Sequence, residues 1–322
     1  MVTQPPAPSG RNKKITRSPT HILAESISLK IFTPVKANET DFLDSLIAIE
    51  PDLCITAAYG NYLPKKFLAI PKYGTYNIHP SFLPLYRGAS PVQRALENGD
   101  QHIGVSILKT VTKMDAGPIA YQLSIELNGE EKATDVLKKS FDLGINKLIE
   151  LLPLIWENKV NFIEQDETKA TFALKLSTSE SYVNFNTMSA ATIHNKCRAF
   201  SIWPGIWTYF SVNNTNSEQS KTIQRLKMKI ITTCLIKEDS SADQSGENKN
   251  ERPEINVLQL VKYNGQFVYR LRCSDGSILG LIELQPENKR VQSAKDIFNG
   301  LRGQVLKWEE NSEADRDTLP SE

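Results

Sequence analysis

The fold is decided between Tyr73 and Asp115, which reads YGTYNIHPSFLPLYRGASPVQRALENGD (73–100) and then QHIGVSILKTVTKMD (101–115). Thr75 to Ile78 is a short strand that ends directly in a polar, Pro-rich loop from His79 to Ser90. Ser90-Pro91 then opens a helix that stops near Asn98-Gly99, since Ser caps a helix start and Pro fits its first position. Gly104 to Thr110 is the next strand. Upstream, Asp52 to Ala58 (DLCITAA) suits a buried strand, and Glu39 to Ile49 carries Phe42, Leu43, Leu46, Ile47 and Ile49 at near-helical spacing. Further out, Ile31 to Val35 reads as a short strand, and Ser18-Pro19 begins a helix running to Glu25. Downstream, Ile119 to Leu127 is a further strand and Thr134 to Trp156 a long amphipathic helix. Strands alternating with helices predict an α/β layer with a mostly parallel sheet.

The 322 residues leave room for about two domains. Hydrophobic residues make up 40% and charged ones 23%, ordinary values for a soluble globular chain. With 38 Lys plus Arg against 37 Asp plus Glu the net charge is +1, which argues against a protein coated in basic residues but leaves room for a local basic patch. No apolar run approaches the roughly 18 residues of a membrane-spanning helix. The four cysteines, Cys54, Cys197, Cys234 and Cys273, are far apart and form no C-x-x-C pair. Neither a disulfide scaffold nor a zinc site is indicated, and a reducing compartment is the simplest inference.

After about residue 160 the pattern changes. Helical spacing recurs only at Thr187 to Phe200, and then come strand-like runs at Ile206–Phe210, Leu226–Ile236, Ile255–Tyr263, Phe267–Cys273 and Ser277–Leu284. Five successive strands with few helices predict a small closed, OB-like barrel. Two polar tracts, Ser211 to Ser220 and Lys237 to Glu254, read as solvated, mobile loops, and the acidic tail after Trp308 as disordered. Met1 to Thr20 holds four Pro and four Lys or Arg with no acid; its prolines would spoil the amphipathic helix of a transit peptide, and Pro5 to Pro19 reads instead as a surface loop.

Asn77 and His79 alternate in an apolar strand just where it enters its loop, so period-two spacing puts both side chains on one face. In open α/β sheets the carboxyl ends of strands line the ligand crevice, and Asp115 follows the next strand at the same end. A carboxamide donates to a developing oxyanion, an imidazole donates or accepts a proton, and a carboxylate orients the imidazole or takes a proton. Each residue alone is equally what a structural histidine or a turn residue looks like; their convergence at successive strand ends gives the set its weight. G-x-S-x-G, G-x-G-x-x-G and Walker patterns are absent, so the residues alone point to transfer or hydrolysis of an acyl-like group without an obvious covalent intermediate.

The combination Asn77-Ile-His79-Pro-Ser81-Phe-Leu83-Pro84, Arg87-Gly88 and Asp115-Ala-Gly117 resembles the signature of the 10-formyltetrahydrofolate-dependent formyltransferases. Within that family the chain is most similar to the members acting on methionyl-tRNA. Tyr59-Gly60, Leu63-Pro64, Lys175-Leu-Ser177, Cys197-Arg198-Ala199-Phe200, Trp203-Pro204-Gly205, Glu283-Leu-Gln285-Pro286 and Phe298-Asn299-Gly300 also match. The resemblance implies a Rossmann-like catalytic domain over 1–160, a linker over 161–180, an OB-like tRNA-binding barrel over 181–308 and an acidic tail over 309–322. It implies 10-formyltetrahydrofolate as co-substrate, no metal, initiator methionyl-tRNA as partner, no membrane contact, a monomer and a mitochondrial address. Asn77 and His79 would hold the formyl oxygen, Asp115 would pair with His79, Ser81, Phe82, Leu83 and Pro84 would contact folate, and Arg11, Lys13 and Lys14 would meet the tRNA. Lys221, Arg225, Lys227 and Lys229 alternate on a barrel strand, which suits phosphate contact or an ordinary exposed face.

Against the family pattern the chain lacks the first strand and helix of the catalytic sheet, so the expected domain is N-terminally truncated. Val183-Asn184-Phe185 stands where the family carries an acidic residue and then Trp. Two alternatives stay open at this point: a catalytically inactive tRNA-binding remnant, and a related folate-dependent formyltransferase or hydrolase acting on a small amine or water.

Overall fold

A computed structural model describes residues 1–10, 13–213, 224–237 and 256–310, and the chain divides into two units. The first comprises Met1–Pro91, His102–Ile125 and Lys138–Leu174; the second comprises Val92–Gln101, Glu126–Leu137 and Lys175–Glu322. Both are discontinuous in sequence.

The first unit starts with a hairpin, β1 (Ala7–Ser9) and β2 (Lys14–Thr16), where a plain loop is expected from the proline content. Helix α1 (Pro19–Ser26) begins as its sequence requires, with Ser18 Oγ accepting the His21 N–H at 3.1 Å and proline in the first turn. The strand expected at Ile31–Val35 reduces to one bridge, Phe32 with Val2. Helix α2 (Thr40–Ile47) turns Phe42, Leu43 and Leu46 into a cluster with Phe67 and Leu63, at spacings that share one helix face.

Next come β3 (Cys54–Thr56), α3 (Lys65–Leu68), β4 (Thr75–His79), the short β5 (Arg87–Gly88), α4 (Pro91–Asn98), β6 (His102–Lys109), β7 (Ile119–Glu126), α5 (Ala133–Trp156) and β8 (Phe172–Ala173). The main sheet runs β3-β4-β6-β7. β3 and β4 are parallel, but β4 and β6 are antiparallel, so the sheet is mixed where a mostly parallel one is expected. The physical reason is that the connection from β4 returns the chain to the sheet at the end where β4 left it, with His79 opposite Ser106; β6 and β7 then form a hairpin, with Lys109 N–H bonded to the Pro118 carbonyl and Leu127 N–H to that of Gln101. β4 is buried on both faces, as a central strand must be. The stretch expected as a linker returns to the sheet: Ile163 bridges Ile119, and β8 pairs in parallel with β5.

The second unit holds α6 (Ala190–Ala199), β9 (Ile206–Asn213), β10 (Gln224–Ile236), β11 (Gln259–Tyr263), β12 (Gln266–Arg272), β13 (Ile278–Pro286), β14 (Gln292–Ser293), α7 (Ala294–Gly300) and β15 (Val305–Glu309). The strands run β11-β12-β13-β10-β9-β15, with β14 on β13. The residues leading into β11 pair with the far edge: Leu258 N–H reaches the Leu306 carbonyl at 3.0 Å and Trp308 N–H that of Asn256 at 2.8 Å. Among the described residues this bridge joins the two ends of the strand order and closes the ring at that point. Alternation sends Ile206, Thr208, Phe210 and Val212 inward, where Trp308 donates its indole N–H to Thr208 Oγ1 at 2.9 Å. Ser211, Val212 and Asn213 extend β9 where a polar loop is expected; residues 214–220 of that tract, the tract from 238 and the tail from 311 lie outside the described residues.

Helix α6 packs on β10 through His194, which is 3% exposed. Its Nε2 donates to the Gly129 carbonyl at 3.1 Å, a carbonyl being acceptor only, and Nδ1 faces Thr233 Oγ1 at 2.9 Å. Burial holds the imidazole below its ordinary pKa, against the Gly129 bond and the nearby Glu130 carboxylate, which pull it up; the Arg198 guanidinium adds to the depression. The unfolded chain thus takes up a proton near pH ~6.5 that the folded chain resists, so stability falls as pH drops below that value. The denaturation midpoint of the second unit is expected to fall between pH 7.5 and 5.5, and His194→Gln to flatten that fall. Equal slopes in both proteins would remove His194 as the cause.

Candidate active site

Strand β4 delivers Asn77 and His79 two residues apart at its carboxyl end, on one face. Beside it, the β3 residue Thr56 donates its hydroxyl to Asn77 Oδ1 at 3.0 Å. That bond occupies the amide oxygen and leaves the Asn77 NH2 as the group with capacity to donate. His79 is 4% exposed, and its Nε2 lies 3.0 Å from the Tyr86 carbonyl. Nε2 therefore carries a proton, and Nδ1 turns to Asp115 Oδ2 at 3.8 Å. This separation is too long for a direct hydrogen bond and within the range of charge interaction; such contacts tighten when substrate is bound.

Asp115 sits in the turn between β6 and β7 with φ at 48°, a left-handed conformation unusual for a residue with a side chain. Its Oδ2 accepts the Gly88 N–H at 2.9 Å, so the carboxylate that faces His79 is also held by the backbone of β5. The arrangement brings together an amide donor, an imidazole and a carboxylate, but not by the route the sequence suggests. Because β6 runs antiparallel to β4, its carboxyl end lies beside the amino end of β4, and Asp115 meets His79 through the turn rather than from the same end of the sheet. A polarised carbonyl could be held by the donor while the imidazole–carboxylate pair takes a proton.

The loop after β4 is built as a rigid rim. Ser106 Oγ donates to the Ser81 carbonyl at 2.7 Å, accepts the Leu83 N–H at 3.1 Å and accepts from Gln122 Nε2 at 2.9 Å. The same Gln122 nitrogen reaches the Leu83 carbonyl at 2.7 Å. Ser81 is fully buried and its hydroxyl donates to the Leu85 carbonyl, while Leu83 is 1% exposed. Of Ser81, Phe82, Leu83 and Pro84, the structure presents Phe82 to solvent at 45% exposure and Pro84 in part, and it adds Leu85. Ser81 and Leu83 shape the rim from within.

Several residues escaped the sequence reading. Thr56 carries no signal beyond its place in an apolar run. Arg87, which the sequence marks only as part of a motif, is 1% exposed and sends both terminal guanidinium nitrogens to Glu167 at 3.1 Å. Lys113 joins it at 2.6 Å. Arg87 first and then Lys113 pull the Glu167 carboxyl down to about 2. Gln165, from the supposed linker, contacts Arg87 and the backbone of the Asp115 turn.

The expected cationic elements are placed separately. Lys13 and Lys14 are exposed at the turn and start of β2, whereas Arg11 lies outside the described residues. Arg17, in the same segment, is engaged by Glu25 at 2.6 Å. On the barrel, Arg225 lies over the Tyr209 ring at 3.8 Å, Lys227 over the Trp207 ring at 3.9 Å, and Lys229 is exposed; Lys221 lies outside the described residues.

Comparison with known proteins covers both units. Residues 1–152 match the family described as formyl transferase, and residues 175–302 match the formyl transferase C-terminal domain. The chain is 35% identical to the methionyl-tRNA formyltransferase of Caldicellulosiruptor saccharolyticus, over 94% of this chain and 88% of that protein. It is 32% identical to that of Lactobacillus acidophilus, over 96% and 90%. With the enzyme of Thermotoga neapolitana the identity is 40%, over 64% of this chain and 65% of that protein. Among solved structures, HypX from Aquifex aeolicus in complex with tetrahydrofolic acid aligns with a TM-score of 0.55 at 14% identity, over 87% of this chain and 44% of that one. WlaRD, a sugar 3N-formyl transferase, aligns at 0.53 and 19% identity, over 84% and 82%. At such identities the structural likeness speaks to the fold alone.

Proposed function

The chain belongs to the formyl transferase family, and from that premise we propose that it moves the formyl group of 10-formyltetrahydrofolate to the α-amino group of methionyl-initiator-tRNA. The observation that carries this reading is the Asn77 amide, oriented by Thr56 with its donor free, beside the His79–Asp115 pair. A formyl donor needs its carbonyl oxygen held as it becomes an oxyanion, and an amine nucleophile needs a base for its proton. The crevice supplies both with side chains already in place.

In this reading Asn77 Nδ2 donates to the formyl oxygen. The amine nitrogen bonds to the formyl carbon, and the carbon–N10 bond breaks as the tetrahedral centre collapses. Asp115, with the Nδ1 of His79 beside it, receives the proton that the attacking amine loses, and that same proton passes to the departing N10, so both residues end as they began. Charge is conserved and no oxidant or metal is required. Phe82 and Leu85 offer apolar surface at the rim for the flat rings of the folate.

The second substrate is the larger part of the proposal. Relatives carrying the methionyl-tRNA name match this chain through the barrel as well as the sheet. Lys13 and Lys14 on the hairpin, together with Lys227 and Lys229 on the barrel, are cations suited to phosphates. An organellar address belongs to the same reading, and a fluorescent fusion that stays cytosolic would remove that part. The deciding assay incubates the purified chain with 10-formyltetrahydrofolate and methionyl-initiator-tRNA. Formyl-methionyl-tRNA is the expected product; its absence, with folate binding intact, would instead favour the tRNA-binding remnant or a small-amine substrate.

A further inference from the structure

We propose that Gln165 is a positioning residue for formyl transfer, locking the Asp115 turn so that its carboxylate faces His79. This inference rests on the reading of the crevice given above. The Gln165 amide uses its full hydrogen-bonding capacity in one place. Nε2 donates to the Asp115 carbonyl at 2.8 Å and to the Gly117 carbonyl at 2.7 Å. Oε1 accepts from Arg87 Nε at 3.0 Å and from an Arg87 terminal nitrogen at 2.8 Å. A primary amide has two donor hydrogens and two acceptor lone pairs, and all four are satisfied.

The geometry of Asp115 shows why such a clamp is needed. Its left-handed backbone is costly for a residue with a Cβ and persists only where the surroundings over-determine it. Gly88 N–H holds the carboxylate, but nothing in that bond fixes the peptide carbonyls of the turn. Gln165 holds two carbonyls within the turn, those of Asp115 and Gly117, and ties them to Arg87, the residue next to Gly88. Arg87 is in turn immobilised by burial and by Glu167. One continuous set of bonds thus fixes both the backbone and the carboxylate of Asp115. The side chains Gln165 and Glu167 come from a segment about fifty positions downstream of the turn they stabilise.

Two substitutions separate this role from general support of the fold. Gln165→Glu keeps an acceptor for Arg87 but replaces the two donor hydrogens by a second oxygen. Gln165→Leu removes both. Asp115 positioning predicts that each lowers kcat by about tenfold to a hundredfold, the effect of misplacing a reacting group by about 1 Å, with KM for both substrates within about twofold. Gln165→Glu should keep a near-normal melting temperature, because the Arg87 contact survives, and should add little to the defect of Asp115→Asn. The second readout needs no turnover: the assigned ring 15N resonances of His79 should move in Gln165→Glu in the direction that they move in Asp115→Asn. Unmoved His79 resonances, or normal kcat in Gln165→Glu, would overturn the inference. An inactive wild-type chain whose His79 resonances still respond would count against the proposed activity and leave the positioning role standing.

Discussion

Substituting alanine for Asn77 is expected to lower kcat by about a hundredfold to a thousandfold, with KM for the formyl donor little changed. The magnitude follows from the kind of interaction removed. A donor aimed at a developing oxyanion contributes about 3–4 kcal/mol to the transition state and much less to the ground state. Asn77 is suited to that role because Thr56 Oγ1 has already claimed its amide oxygen at 3.0 Å, so the NH2 need not reorient as charge develops. Asn77→Asp is a sharper variant still: it preserves size while placing an acceptor where a donor is required. Single-turnover transfer rates at saturating folate and tRNA, together with circular dichroism to confirm folding, decide the matter. A kcat within a few-fold of wild type in both variants would remove Asn77 from the mechanism.

A large loss of stability is expected from a side chain at Gly104. An added Cβ there would lie 2.2 Å from the Phe82 backbone nitrogen and 2.3 Å from the Phe82 Cα. Backbone cannot move aside as a flexible side chain can, and Leu83 is simultaneously tied to Ser106 and Gln122 two layers of bonding away. Either β6 or the rim must shift. Overpacking of this kind costs on the order of 3 kcal/mol, so Gly104→Ala should lower the melting temperature of the first unit by roughly 10 °C. Gly265→Ala is the matching control. That glycine has φ at 83° in the turn between β11 and β12, with open space around its missing Cβ, and only a conformational cost of about 1 kcal/mol is expected. Similar losses in the two variants would show that the close approach at Gly104 has been relieved by relaxation.

The core of the crevice was legible from residue order because period-two spacing in an apolar strand is a local property. Asn77 and His79 announce their shared face within three residues, and β9 to β13 announce themselves by alternation. Legibility ends where meaning depends on contacts distant in sequence. Gln165 lies in a stretch with no periodicity, and its partners are Arg87 and the carbonyls of Asp115 and Gly117. The hairpin of β1 and β2 was hidden by its prolines, and the strand expected at Ile31–Val35 had no partner long enough to pair with it. The antiparallel course of β6 was hidden for another reason. A strand's hydrophobicity records its burial but not its direction, and the direction of β6 is set by where the connection from β4 re-enters the sheet.

Closure of the barrel has an evolutionary corollary. Because Asn256 and Leu258 are secured to β15 and Ile236 is secured to β13, the two attachment points of the intervening chain are fixed by the ring itself. The entropy of spanning fixed points rises by only about 0.6 kcal/mol for each doubling of length. Insertions and deletions between these anchors are therefore nearly neutral to selection on stability, and this is the position at which lineages can diverge in length, or acquire a grafted module, while the sheet and its crevice stay as they are.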